Sequence, residues 1–256
     1  MYTADRRVLE LMDKVTDLAN AISVGRSERV WHELEMLAVF HHCARLHAAV
    51  RLLLAEGFAP EAMPLDRPLF INSLGLEELA AADETRRGSL MVGWVLAGLQ
   101  DLENYFRDRQ SRGHDVSAET EQLAERRREV LAHASRNGFG TRQWQPDDDP
   151  KRLADTHGRG EQYGALLVTH MFVHGTWAAT SEHYLITDEG VVVGASTPTP
   201  KRWERDAGLF ASHSMLLAMR AACRIFGWVE PTELDELLAS LASLAKSGER
   251  PDQVGG

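Results

Sequence analysis

From Ser27 to Glu56 apolar residues fall at helical spacing, with Val30, Leu34, Leu37, Ala38, Ala44, Ala48 and Leu52 supplying one face, and Gly57 stops the run. Ser27 is placed to cap its start. Roughly thirty residues at about 1.5 Å each make a helix of about 45 Å, enough to span a whole domain. Other segments carry the same period. Residues 4–22 form a first amphipathic helix through Val8, Leu11, Met12, Val15 and Ala19, ended by Gly25. After Gly57, Pro60, Pro64 and Pro68 mark a connection, in which Asp66 is suited to cap a third helix and Pro68 to occupy its first turn. Asp83 or Thr85 opens a fourth helix whose apolar arc, from Leu90 to Phe106, is wide enough to meet several neighbours. Gly75, Gly88, Gly93 and Gly98 lower helix propensity and are expected to mark close approaches.

Ser117 opens a fifth, largely exposed helix that ends at Asn137-Gly138. Residues 139–159 are polar and contain Asp147, Asp148 and Asp149, so they read as a long loop with one helical turn. A buried helix follows at 161–181. Beyond it, β-branched runs on either side of Asp188-Glu189-Gly190 predict one small β-hairpin near residues 183–195, the only expected β-structure. Residues 203–228 and 232–246 complete the set. The expected fold is mainly α: a compact, bundle-like domain of eight or nine helices over residues 1–246, with 247–256 as a flexible tail.

Composition narrows the function classes. Acidic residues outnumber basic ones, 38 to 28, and the formal charge of −10 repels nucleic acid and anionic membrane. Two local exceptions are Arg126-Arg127-Arg128 and the series Arg107, Arg109, Arg112, both read as solvated helix faces. No stretch is apolar enough to span a membrane or act as a secretory signal, and Cys43 and Cys223 sit in apolar helical patterns as small buried thiols. A cytoplasmic protein is expected.

Helix 161–181 carries the least ordinary stripe. Tyr163, Leu167, His170, His174 and Trp177 recur at steps of four and three, so two imidazoles interrupt an apolar seam. His170 and His174 have HxxxH spacing for one divalent metal, but lack the glutamate of HExxH. Further ligands would have to come from Glu33, Glu35, His41, His42, His183 or His213, so metal is an alternative that the spacing does not favour. On the long helix, His41 falls on the inward line and Arg45 borders it. Either Arg45 is buried and paired, or the helix is rotated and both residues lie at its edge.

The favoured functional reading is a histidine/arginine-lined pocket that binds a small anionic ligand or performs acid–base, hydrolytic chemistry. His174, His170 and His41 are its candidate catalytic groups, and Arg67, Arg45, Tyr163 and Trp177 its ligand contacts. Three alternatives stand beside it: a non-enzymatic interaction or structural protein with histidines as packing, a metal-dependent helical enzyme, and an RNA-cleaving nuclease. The last rests on resemblance to HEPN proteins, whose Arg-x4-6-His motif is matched by Arg109/His114, Arg128/His133 and Arg152/His157. Exposed edges of the hairpin are suited to pairing in a homodimer.

Arg67 in RPLF, Tyr163, and His174-Gly175 in FVHGTW resemble the pattern of a family of uncharacterised helical bacterial proteins, a domain of unknown function, over about residues 28–180. The resemblance implies a helical fold and carries no established activity. In that family the arginine lies inside a helix and precedes a small residue; here Pro68 follows, which places Arg67 at a helix start.

Overall fold

The computed structural model of the protein describes residues 5–22, 30–173, 184–186, 192–195 and 201–247. The expected tail beyond 247 lies outside them. The chain is mainly helical: α1 Arg6–Ile22, α2 Trp31–Ala55, α3 Ala59–Ala81, α4 Glu84–Ser111, α5 Ser117–Asn137, α6 Pro150–Thr156, α7 Gly160–Val173, α8 Lys201–Phe226 and α9 Thr232–Ser247. A 3-10 turn covers Pro146–Asp148, and strands β1 (Tyr184–Ile186) and β2 (Val192–Ala195) pair antiparallel with an irregular register between Leu185 and Ile186.

Helix α3 is the central element, packing on α2, α7 and α8. Its start overturns the expected proline-marked connection. The helix begins at Ala59 and continues through Pro64 and Pro68, so Asp66 is an interior residue rather than a cap, and Arg67 lies within the helix. Each interior proline removes one backbone donor and normally breaks a helix. Here Ala62, Met63, Leu69 and Leu76 are almost wholly buried in the main core, and that burial outweighs the local preference.

Helix α2 is shorter than expected and differently rotated. It starts at Trp31, where the Val30 N–H reaches the Glu33 carboxylate at 3.3 Å, while Ser27 lies outside the described residues. Its buried line is Met36, Phe40, Cys43, His47, Val50 and Leu54. Leu34 and Leu52 on the expected inner face are 51% and 60% exposed. Apolar residues occur around much of this helix, so spacing alone did not single out the face that packs.

The loop expected over 139–159 contains more structure than one turn. Asp149 caps α6 by accepting from the Arg152 N–H at 3.1 Å, with Pro150 in the first turn. Before it, the chain passes close to α3 and α4: a Cβ on Gly75 would stand 2.6 Å from Pro146 Cγ and Trp94, and one on Gly93 would collide with the Arg142 carbonyl oxygen. Gly98 differs, with nothing within 4 Å. Gly98→Ala should therefore raise unfolding free energy by about 0.5–1 kcal/mol and Gly93→Ala should lower it, as read by urea denaturation.

Candidate functional site

Two polar regions are built where helices meet. The first is a hub joining α3, α7 and α8. Along α3, Asp66, Phe70, Ser73 and Glu77 follow at steps of four, three and four, so they share a face. Arg159, in the turn before α7, is 3% exposed. Its Nη1 donates to Ser73 Oγ and Glu77 Oε2, both at 2.7 Å, its Nε to Gln162 Oε1 at 2.7 Å, and its Nη2 to Ser214 Oγ at 3.2 Å. The guanidinium carbon also sits 4.4 Å from the Phe70 ring centroid. Gln162 uses its amide to donate to His213 Nδ1. Burial, followed by the nearby Arg159 charge, pushes His213 down to about 4, which leaves the ring neutral and able to accept.

The hub is saturated. Four donor contacts from one guanidinium already end on protein oxygens, so Arg159 is a structural clamp with little capacity left for a ligand. Breaking it should be expensive: Arg159→Met is expected to remove about 3–5 kcal/mol of stability, and the Arg159→Met/Glu77→Met double variant to lose less than the sum of the singles in urea denaturation.

Asp66 is the exception on this face. It is fully buried, and neither carboxylate oxygen has a hydrogen-bond partner among the described residues. Burial drives its pKa well above the usual carboxylate range. The folded chain therefore binds this proton more tightly than the unfolded chain does. Its stabilising influence is full below about pH 4 and is lost as pH rises through the folded-state value. Asp66→Asn removes that titration, so the melting temperature of the variant relative to wild type should climb as pH is raised from about 4 through the alkaline range. A difference that stays flat across that range would contradict the assignment.

The second region is a groove of about 430 Å³ between α1 and α2, closed at its base by α8. Thr16, Ala19, Asn20, His41, Ala44, Arg45, His47, Ala48 and Met215 line it. Among the described residues no carboxylate lines it, although the chain as a whole carries ten more acids than bases. Rotation of α2 places His41 and Arg45 outward at this groove, where both are exposed; the alternative of a buried, paired Arg45 is thereby overturned. Among the described residues Arg45 has no ion-pair partner. His47, 1% exposed, stands 3.2 Å from Thr16 Oγ1 through Nδ1 and 3.4 Å from Ser212 Oγ through Nε2. Burial lowers its pKa to about 4.

The other expected site residues are distributed differently. Arg67 lies outside the groove lining and binds Asp147 at 2.6 Å. Tyr163 packs on the cluster of Phe70, Ile71, Leu74 and Leu153, next to the hub. His174 and Trp177 lie outside the described residues, as does His183, and of His170 only the backbone within α7 is described. The pocket expected from His41, His170, His174 and Arg67 is thus described only at His41 and Arg67, which stand at separate places. Among the described residues no group of three or more His, Cys, Asp or Glu side chains converges to hold a metal.

The arginine clusters are largely neutralised. Arg126 pairs with Glu35 and Glu129, Arg127 with Glu103, Arg128 with Glu125, and Arg112 with Asp108. In the HEPN-type pairs, Arg128 turns to Glu125 while His133 faces His32, and Arg152 turns to Asp149 while His157 Nε2 lies 3.1 Å from Glu78. Sequence reading missed Arg159, His47, Ser73, Glu77 and Ser212. Arg159 sat in a segment read as loop, and His47 was not among the residues of the face read as inner. A buried-line reading that ran through Phe40 and Cys43 would have found His47.

Both cysteines are buried and free, and burial pushes the Cys43 thiol up to about 12, so it is chemically quiet. Among the described residues no helix is long and apolar enough to cross a membrane. Comparison with known protein families, curated proteins and solved structures gives no match to this chain.

Proposed function

We propose that the protein binds a small organic anion in the groove between α1 and α2, with Arg45 as the charged anchor and His41, Asn20 and Thr16 as polar neighbours. The observation that carries this reading is the lining: among the described residues it holds an arginine and two histidines and no carboxylate, on a chain of formal charge −10. Asp13, whose charge reaches His47, is paired with Arg51, so the local field favours an anion. Ala19, Ala44, Ala48 and Met215 supply an apolar floor, so the site matches the usual ligand pocket of mostly apolar walls with a few polar groups.

Binding suits this groove better than acid–base catalysis. A histidine lowered to about 4 is neutral at physiological pH but a weak base, whereas a general base works best with a pKa near the operating pH. The flanking Thr16 and Ser212 hydroxyls can each donate or accept, so they hold the ring's orientation with either nitrogen protonated, which makes His47 an oriented hydrogen-bonding wall.

Isothermal titration with hexanoate and with inorganic phosphate tests the reading. At least one should bind wild type, and Arg45→Ala should weaken that binding about 10- to 100-fold, the usual effect of removing a hydrogen bond to a charged group. The melting temperature should hardly move, because Arg45 is exposed and has no ion-pair partner among the described residues. No binding of either anion, or equal binding by the variant, would count against the groove.

A further inference from the structure

A third polar junction lies elsewhere, where the first turn of α2 meets α5. His32 Nδ1 and His133 Nε2 stand 3.3 Å apart. An N–H···N hydrogen bond between neutral rings accounts for the approach. A second account fits the same separation. Two imidazole nitrogens on one tetrahedral zinc ion, each at about 2.0–2.1 Å, are separated by about 3.3–3.4 Å.

We propose that His32 and His133 form a two-imidazole clamp for a divalent transition-metal ion such as Zn2+, bridging α2 and α5, with water completing the coordination. The proposal is independent of the anion groove.

The rings are already held in place. His133 lies 4.8 Å from the Trp31 ring, and His32 meets Phe139 edge-on at 5.1 Å. Asn137 donates its side-chain amide to the His133 carbonyl at 2.8 Å, which steadies the last turn of α5. Orientation before binding lowers the entropy lost on chelation.

The local charge agrees. His32 borders a cavity of about 310 Å³ that is also lined by Glu33, Glu84, Arg87 and Ile225, with His133 outside its lining. The two carboxylates favour a cation, and they offset Arg87 on the same wall and Arg136, whose charge reaches His133. Arg87 itself is turned to the Leu79 and Ala82 carbonyls, both at 2.9 Å. With two protein ligands, affinity should be well below that of a four-ligand structural zinc site.

The test uses the full chain without a histidine tag and ZnCl2 as the only addition. Saturating Zn2+ should raise the melting temperature of wild type by at least about 4 °C, and His133→Gln should lose that shift. No shift in wild type, or an equal shift in His133→Gln, overturns the proposal, the latter by placing the metal elsewhere. Electron paramagnetic resonance of the Cu2+-loaded wild type gives a reading that does not depend on the variant folding. Coupling to two imidazole nitrogens, lost in a folded His32→Gln or His133→Gln, supports the clamp; coupling to one or none overturns it.

Discussion

The arginine at position 159 is where the fold has the least freedom. A guanidinium removed from water is tolerated only where polar partners meet it in the interior, and those partners come from three elements: Ser73 and Glu77 from α3, Gln162 from α7, Ser214 from α8. Sliding any one helix past the others by a residue would strand a charge or a hydroxyl. Apolar packing alone is more forgiving, since neighbouring residues of similar size can exchange roles. The ion-paired hub therefore sets the register in which the surrounding leucines and methionines pack.

That register also explains what α3 can carry. Two prolines within the helix and a buried carboxyl at Asp66 that has no partner among the described residues are each destabilising by themselves. They persist because the helix is buried on several sides, with Leu69 and Leu76 enclosed in the main core and Phe70 and Leu74 enclosed beside Leu153 and Leu166. Stability is concentrated in one element, and local departures from helix-forming rules are accommodated around it.

The polar regions differ by how much capacity the protein has already used. At the hub nearly every donor ends on protein, whereas along the α1–α2 groove the arginine and the exposed histidine face outward. On α5 the arginines are matched by Glu35, Glu103, Glu125 and Glu129. A groove with no acid among its described lining residues stands out against that background. Polar groups with spare capacity therefore lie at the edge of the bundle, and those committed to structure lie at its centre.

Several features were legible in the sequence because they depend on neighbours along the chain. Helical periodicity marked the main helices, Asp83 or Thr85 was expected to open α4 and Asp83 does so by accepting from the Arg86 N–H, and Asn137-Gly138 closed α5 with Gly138 at φ +68°. Gly75 was rightly associated with a close approach, now seen to be Trp94 and Pro146. What local pattern did not settle was which face of a helix would be inside. On α2, apolar residues on more than one side left the rotation open, and the choice between Leu34 and Met36, or between His41 and His47, was made by α1, α3 and α8. Likewise the sequence determined that Pro64 and Pro68 weaken a helix, but only burial against distant segments decided that the helix would form. Spacing along a chain reports forces that act within a few residues, whereas the placement of Arg159, Asp66 and His47 depends on partners far away in sequence.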